Sequence, residues 1–239
     1  NVQQAWLQKT ESGAPIYGTS VVIAVVDDGV EYTHNDLSKN YIPSSSYDFV
    51  DDDNDPSPNI GNGDFHGTAV AGVAAGYGHN GIGISGAAPN ASLSAIRHYG
   101  VNSDLTDSLA LKYALNSNDI YNNSWGPLDT GTIDPLGPLT AATFAEGTSN
   151  GRNSKGTIYT WAGGNGRNNG DNSNYDGYAN SRYVIAVAAM HQNGAYASYS
   201  QPGANLLIAA PADPVTTTDI MGVNGYDTLN YTSTFNGTS

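Results

Sequence analysis

Four side chains of different chemical types could together carry out nucleophilic catalysis. They are the carboxylate of Asp27, the imidazole of His66, the side-chain amide of Asn165 and the hydroxyl of Ser239. A serine hydroxyl becomes nucleophilic when an imidazole removes its proton, and a carboxylate can orient that imidazole. An amide can donate a hydrogen bond to the oxyanion that forms when the hydroxyl attacks a carbonyl carbon. The set therefore predicts acyl transfer through a serine.

None of these four residues is a strong signal by itself. Asp-Gly and Gly-Asn are common pairs in turns, and histidines often cap helices or pack in cores. The position of His66 favours its interpretation as a base, because it begins an Ala-rich segment that is typical of a helix. The positive end of a helix disfavours a protonated imidazole, so we expect His66 to stay neutral and able to accept a proton.

Strand-like and helix-like segments alternate along the chain and must position these side chains. The β-branched run SVVIAVVDDG (20–29) is typical of a strand that is buried on both faces of a parallel sheet. The alternation predicts an α/β fold with a mostly parallel, doubly wound central sheet. The predicted strands are 20–29, 92–99, 119–126, 156–164, 182–190 and 205–212, and the predicted helices are 66–77, 104–115 and 138–151.

The predicted sheet places the candidate residues at one edge. Ligands of doubly wound sheets bind beyond the carboxyl ends of the strands, and Asp27 and Asn165 both come where a strand ends. The helix predicted over 104–115 has Leu105, Leu109 and Ala110 at helical spacing. No internal repeat and no linker divides the chain, so we expect one domain over 1–239.

Composition limits the function classes. The chain has 239 residues, with 22 acidic and 8 basic side chains and a formal charge of −14. This charge disfavours nucleic acid and anionic membranes as partners and favours metal cations or basic peptides. The absence of cysteine excludes disulfides, thiol nucleophiles and zinc–thiolate sites. There is no apolar run long enough to predict a membrane span, and no basic, apolar signal segment opens the sequence.

Five short blocks resemble the subtilase family of serine proteases, and they are most similar to its kexin and furin branch. The blocks are VVDDGV (25–30), HGTAVAG (66–72), NNSWGP (122–127), WAGGNG (161–166) and NGTS (236–239). The resemblance covers essentially the whole chain and implies a subtilisin-like three-layer fold. It implies that Asp27 orients His66, that His66 deprotonates Ser239, and that Asn165 donates to the oxyanion.

The resemblance also concerns what surrounds the catalytic domain. In this family the motif that contains the nucleophile is followed by a short segment and a buried helix. Because Ser239 is the last residue of the sequence, we expect the domain over 1–239 to be cut at its nucleophile. The remaining C-terminal part of the same protein is then an expected partner. The resemblance further implies a secreted or extracytoplasmic location.

Acidic residues are expected to determine substrate specificity. By resemblance, Asp129 and Asp176 hold the basic side chain that precedes the cleaved bond, and Asp28 and Asp64 meet the basic residue before it. A guanidinium bound by buried carboxylates makes strong, charge-assisted hydrogen bonds. Ala110 occupies a place where furin-like enzymes carry an acid, so we expect little preference further upstream.

Calcium is the cofactor that the resemblance implies. The run DFVDDDNDP (48–56) is not an EF-hand, because Pro56 stands where glycine is needed and Asn62 where a bidentate glutamate belongs. By resemblance it is instead a calcium loop with ligands Asp48, Asp53 and Asp55. A second site would use Asp36, Asn80 and main-chain oxygens of Tyr77, Ile82 and Ile84. A third would join Asp129 and Asp171, with Gln201 in place of a glutamate, which should weaken or abolish binding there.

These inferences predict a calcium-dependent serine endopeptidase that cleaves after basic residues, most readily at dibasic pairs. One alternative keeps the fold but gives it the broad specificity of a degradative subtilase. The other alternative is a non-catalytic, calcium-binding domain on a degenerate protease fold. The presence of all four catalytic residue types argues against that second alternative.

Overall fold

A seven-stranded parallel sheet forms the centre of the molecule. The computed structural model describes residues 2–239. The strands of this sheet are β1 (Val22–Asp27), β2 (Tyr47–Asp48), β3 (Ser92–Arg97), β4 (Ile120–Asn123), β5 (Ile158–Ala162), β6 (Val184–His191) and β7 (Leu206–Asp213). Their order is β2-β3-β1-β4-β5-β6-β7, and every neighbouring pair is parallel. The predicted α/β fold with a parallel sheet is confirmed.

The described residues form four α-helices. They are α1 (Val2–Trp6), α2 (His66–Ala75), α3 (Asp104–Ala110) and α4 (Pro138–Ser154), and short 3₁₀ turns lie at Pro43–Ser45, Ile60–Asn62, Arg167–Asn169 and Ser173–Tyr175. None of the helices in the described residues is long and apolar enough to cross a membrane.

The alternation of side chains along β1 separates two hydrophobic clusters. Val25 packs in one cluster with Ala69 and Val70 of α2. Val26 packs in the other, with Phe144 of α4. Successive side chains of a strand point to opposite faces, so a continuous apolar run is what a strand covered on both faces requires. The layers are therefore helix, sheet and helix.

A small antiparallel pair of strands positions the start of α2. These strands are β8 (Val215–Thr218) and β9 (Tyr231–Phe235), which the sequence analysis did not predict. Thr217 Oγ1 donates to the carbonyl oxygen of Ala69 at 2.6 Å, and Thr218 Oγ1 donates to that of Thr68 at 2.7 Å. Strand β9 leads directly into the segment that ends at Ser239.

The helix α3 is confirmed but differs in length and orientation from the prediction. It ends at Ala110 rather than continuing to residue 115. Leu105 and Leu109 are exposed, whereas Asp107 and Ala110 are buried. A buried aspartate accepts hydrogen bonds from His98 and Tyr178, so polar contacts decide which side of this helix faces inward.

Candidate active site

Asp27 and His66 form a hydrogen-bonded pair between β1 and α2. Asp27 is the last residue of β1 and is 4% exposed, and His66 is the first residue of α2. His66 Nδ1 lies 2.8 Å from Asp27 Oδ1 and 3.1 Å from Oδ2. A carboxylate only accepts, so Nδ1 carries the hydrogen and Nε2 is the nitrogen free to take a proton. The two side chains are thus in direct contact, and their catalytic roles stay a prediction.

Asp28 caps the first turn of α2. Its two carboxylate oxygens accept the backbone N–H of His66 at 3.0 Å and that of Gly67 at 2.7 Å. Burial, together with the neighbouring charge of Asp27, raises the pKa of Asp28 to about 7 despite these hydrogen bonds. Asp28 also lines the cleft beside His66, together with Tyr99.

The charge of His66 differs from the expectation for a helix start. Burial disfavours the imidazolium, but the carboxylates of Asp27 and Asp28 favour it more, and the pKa of His66 rises to about 9. Two nearby negative charges outweigh the partial positive charge of one helix end. The expectation that His66 stays neutral was wrong for this reason.

Ser239 and Asn165 are brought together by hydrogen bonds of the preceding Thr238. Asn165 Oδ1 accepts the backbone N–H of Thr238 at 2.9 Å and its hydroxyl at 3.1 Å. This leaves the Nδ2 group of Asn165 as a donor. Gly237, at φ +129°, leaves open a space that both Asn165 Nδ2 and Ser239 Oγ border. The Ser239 hydroxyl itself donates to the carbonyl oxygen of Ser124 at 3.2 Å.

An acidic pocket opens beside Ser239. Its wall includes Asp129, Asp171 and Asp176, and it shares the segment 124–126 with the cleft beside His66. Asp176 Oδ1 accepts the backbone N–H of Tyr178 at 2.7 Å. Burial is the main cause that raises the pKa of Asp176 to about 6, and the charges of Asp134 and Asp129 add to it. The structure thus concentrates unneutralised carboxylates next to a serine hydroxyl.

Arg97 neutralises a second group of acids, and the sequence analysis did not single it out. It is 4% exposed, and its guanidinium lies 2.8 Å from Asp48 Oδ2, 2.7 Å from Asp51 Oδ2 and 3.3 Å from Asp64 Oδ2. Asp64, predicted to bind substrate, therefore already has an internal cation. An arginine inside the predicted strand 92–99 was the available signal, because buried arginines need acidic partners.

Comparisons with known proteins agree with this geometry. A family model described as the subtilase family matches residues 18–239. Kexin of Saccharomyces cerevisiae is 42% identical over 191 residues, which are 78% of this chain and 23% of kexin. Furin-1 of Xenopus laevis is 39% identical over 207 residues, which are 84% of this chain and 25% of that protein.

The chain belongs to the subtilase family. A solved structure of a serine protease of Aeromonas sobria has a TM-score of 0.82 at 26% identity, covering 95% of this chain and 46% of that one. A cold adapted subtilisin-like serine proteinase has a TM-score of 0.70 at 22% identity, covering 93% of this chain and 71% of that one, which shows the fold. The predicted subtilisin-like fold is confirmed. The chain spans about a quarter of the length of the two curated relatives named above.

The structure gives the residues of the three predicted calcium sites different surroundings. Within residues 2–239, no three acidic or histidine side chains lie close enough together to hold a metal ion by themselves. Any calcium site in this part of the chain must therefore draw on amide and main-chain oxygens as well.

The site around Asp36 has a buried carboxylate whose two oxygens already accept hydrogen bonds. Asp36 is fully buried, and its carboxylate accepts Asn80 Nδ2 and the backbone N–H of Ile84, both at 2.8 Å. The loop that carries Tyr77, Ile82 and Ile84 wraps around it, and Gly83 approaches the carboxylate too closely for a side chain. A calcium ion would have to displace these two donors, and the Asn80 side chain would have to turn its Oδ1 toward the ion.

The other two sites fit calcium less well. Asp48 is bound by Arg97, while Asp53 and Asp55 accept N–H groups of their own loop. In the third site, Gln201 Nε2 donates to Asp129 Oδ1 at 2.5 Å. Asp171 lies nearby, and its charge adds to burial in raising the pKa of Asp129. A guanidinium and an amide donor thus occupy acceptor atoms that a cation would need.

Ala110 lies outside the substrate cleft. It is fully buried and packs in the cluster that contains Phe144 and Trp161. It supplies no carboxylate to the substrate surface, in line with the departure from furin-like enzymes noted in the sequence.

We expect the His66 imidazole to titrate with a pKa near 9, and the Asp28→Asn substitution to lower it. The negative charge of Asp28 stabilises the imidazolium, so its removal must favour the neutral ring. His66 titrates above the pKa of Asp28, so Asp28 is ionised over the pH range in which the His66 pKa is measured. NMR titration of the histidine side chains measures both pKa values, with the His66→Ala spectrum assigning the resonance. A His66 pKa that is unchanged in Asp28→Asn would contradict the electrostatic account.

Proposed function

We propose that this chain is the catalytic part of a calcium-dependent serine endopeptidase that cleaves after basic residues. The observation that carries the proposal is the Asp27–His66 pair, whose cleft shares the segment 124–126 with the pocket that Ser239 and several carboxylates line. Membership of the subtilase family and similarity to kexin and furin support it.

The proposed chemistry follows from the hydrogen bonds of the site. With its Nδ1 hydrogen held by Asp27, His66 takes the proton of Ser239 at Nε2. The Ser239 hydroxyl must first turn away from the carbonyl oxygen of Ser124. Its oxygen then attacks the substrate carbonyl carbon, and Asn165 Nδ2 donates to the resulting oxyanion.

The second half of the reaction returns each group to its starting state. His66 gives its proton to the leaving amine, and the peptide bond breaks to leave an acyl group on Ser239. His66 then takes a proton from a water molecule, which attacks the ester carbon. The bond to the Ser239 oxygen breaks, His66 gives the proton to that oxygen, and the carboxylic acid is released. The raised pKa of His66 stabilises the imidazolium that forms after each proton transfer to the ring, but the neutral ring that accepts the proton is then the minor form below about pH 9.

Basic specificity is proposed from the charge of the pocket. Asp176 and Asp129 both lie in surroundings that disfavour their ionised forms. A guanidinium from the substrate would neutralise them, whereas an apolar side chain would leave them unpaired. Arginine should bind better than lysine, because its planar group can bond to two acceptors at once.

The second acidic subsite is proposed to rest mainly on Asp28. Asp28 lines the cleft beside His66, while the charge of Asp64 is offset by Arg97. A basic residue bound at this position would lower the pKa of Asp28 below its value of about 7 and so keep it ionised. The proposed preference for dibasic sites depends on this contact.

Calcium is proposed to act as a structural cofactor bound at Asp36, Asn80 and the loop 77–84. Its chemistry there is to neutralise a buried carboxylate and to hold the loop against the fold. The sets that contain Asp48, Asp53 and Asp55, or Asp129 and Asp171, remain predictions that the contacts of Arg97 and Gln201 make less favourable.

A further segment of the same protein is proposed to complete the domain behind Ser239. An apolar groove there is lined by residues of β6 and β7 and by Val73, Val215 and Phe235. A helix after Ser239 would cover this groove and bury its apolar surface. The proposed secreted or extracytoplasmic location rests on the resemblance to kexin and furin alone.

The first prediction of this proposal is that a serine-directed fluorophosphonate labels the complete protein at Ser239. The reagent reacts with hydroxyls that a neighbouring base activates, and His66 is the base placed for this. Mass spectrometry of the digested protein locates the label. A label on another serine, or full peptidase activity in Ser239→Ala, would show a different nucleophile. An unlabelled, folded protein that binds calcium would favour the non-catalytic alternative.

The second prediction is that removing calcium lowers the melting temperature of the complete protein. A ligand that binds only the folded state at 100 times its Kd adds about 2.7 kcal/mol to the free energy of unfolding. Differential scanning calorimetry with and without chelator measures the loss. Asp36→Asn should remove most of the calcium effect, whereas Asp53→Asn, in an exposed loop, should leave it nearly intact. A chelator without effect on the wild-type melting temperature would rule out the proposed cofactor.

The third prediction is that peptides with Arg before the cleaved bond are hydrolysed much faster than matched peptides with Leu. Asp176→Asn should cost the Arg peptide on the order of 2–5 kcal/mol in kcat/KM, the usual scale for breaking a buried charge pair. The Leu peptide should be unaffected or slightly improved. Steady-state kinetics of the wild type and of Asp176→Asn on both peptides measures these changes in kcat/KM. A wild-type enzyme without preference would favour the broad-specificity alternative, and equal losses on both peptides would make Asp176 a structural residue.

A further inference from the structure

A buried chain of hydrogen bonds lies behind the acidic pocket. It consists of His98, Asp107 and Tyr178. His98 Nε2 lies 2.7 Å from Asp107 Oδ1, and the Tyr178 hydroxyl donates to Asp107 Oδ2, also at 2.7 Å. His98 is fully buried and Asp107 is 3% exposed. No step of the proposed mechanism uses any of the three.

One end of this chain is left without a hydrogen-bond partner. Because Asp107 accepts from His98, the Nε2 atom carries a hydrogen, and Nδ1 is buried with no partner in the described residues. A buried polar atom without a partner has a cost in stability, and such atoms in native proteins call for an explanation. A leucine or phenylalanine would fill the position without this cost. The His98 imidazole therefore contributes through its single hydrogen bond to Asp107.

Aromatic ring contacts connect this chain to the substrate cleft. The ring of Trp125 lies 4.7 Å from that of His98 and 5.2 Å from that of Tyr178, while Tyr178 stacks on Trp161 at 4.9 Å. Trp125 lines both the cleft beside His66 and the acidic pocket. The two ends of the hydrogen-bonded chain therefore hold one wall of the cleft between them.

The backbone of Tyr178 connects the same chain to the carboxylate of the pocket. Its N–H group donates to Asp176 Oδ1 at 2.7 Å. The side chain of Tyr178 is fixed at its far end by Asp107 and on its face by Trp161. Movement of this ring would move the N–H group that orients Asp176.

We propose that the His98–Asp107–Tyr178 chain positions the pocket for a basic side chain by holding Asp176 and Trp125 at a fixed separation. The three are positioning residues, since none touches the reacting atoms. This inference rests on the proposed function, because it assigns the chain to binding of the basic residue. Small displacements of a carboxylate weaken a bidentate contact to a guanidinium, whereas an apolar side chain is insensitive to them.

The test compares two Tyr→Phe substitutions in the complete protein. Tyr178→Phe removes the bond to Asp107. Tyr159→Phe is the matched control, because its buried hydroxyl also makes one hydrogen bond, to the carbonyl oxygen of Leu111 at 2.9 Å, in the same aromatic cluster. Both variants lose one hydroxyl and keep the ring. Measurements of kcat and KM on Arg and Leu peptides, with the melting temperature of each variant, separate positioning from stability.

We expect Tyr178→Phe to raise KM for the Arg peptide about tenfold, the effect of losing a hydrogen bond to a charged group. Its kcat on that peptide and its kinetics on the Leu peptide should stay close to wild type. Tyr159→Phe should lower the melting temperature by a similar amount but leave the Arg-to-Leu ratio unchanged. Adding Asp107→Asn to Tyr178→Phe should reduce the ratio little further, since both changes break the same chain.

Four results would overturn the inference. A folded Tyr178→Phe variant with the wild-type Arg-to-Leu ratio would show that the chain does not position the pocket. Equal losses on both peptides would show a general structural role, as would equal shifts in the ratio for Tyr178→Phe and Tyr159→Phe. A wild-type enzyme without preference for Arg would reject the proposed specificity itself, and this inference with it.

Discussion

The hydrogen bond between Asp27 and His66 joins the end of β1 to the first residue of α2. It requires a buried carboxylate, whose loss of hydration must be offset by hydrogen bonds from its surroundings. The backbone N–H of Asp28 and the imidazole of His66 provide them. The bond also requires a close approach of α2 to β1. A side chain at Gly67 would collide with the carbonyl oxygen of Gly29, so only glycine fits there.

The distribution of internal cations separates the acids of this protein into two groups. Arg97 contacts Asp48, Asp51 and Asp64, and its single positive charge partly offsets theirs. Asp176 instead accepts backbone N–H groups, and burial raises its pKa. A carboxylate whose ionised form is disfavoured has the most to gain from a cation supplied by substrate. Motif similarity alone does not make this distinction, because all of these residues are aspartates.

The strand ends explain why such different groups meet in one cleft. Asp27 is the last residue of β1, Ser124 and Trp125 follow β4, and Asn165 follows β5. These three strands are neighbours in the parallel sheet. Parallel strands place their carboxyl ends at one edge, and the connections there are free to carry function. The antiparallel pair β8–β9 then brings Ser239 to the same edge from a distant part of the chain.

The sequence by itself determined the α/β class, six of the seven strands of the central sheet and the residues that are proposed for catalysis. These properties depend on local patterns: β-branched runs for the buried strands, and short motifs at strand and helix ends. Strand β2 was missed because two residues are too few to show a period, and the pair β8–β9 because Thr-rich and Gly-rich segments resemble loops. The inward side of α3 was not predictable either, because Asp107 is buried only through its contacts with His98 and Tyr178, which lie far away along the chain or in another element. Only the tertiary structure decided which carboxylates contact Arg97 and which have no cation beside them in the described residues. It also placed two carboxylates near His66, which raise the pKa of this residue instead of leaving the ring neutral. The physical reason is that charge–charge interactions and desolvation depend on distances between residues that are remote in sequence, and no local pattern contains those distances.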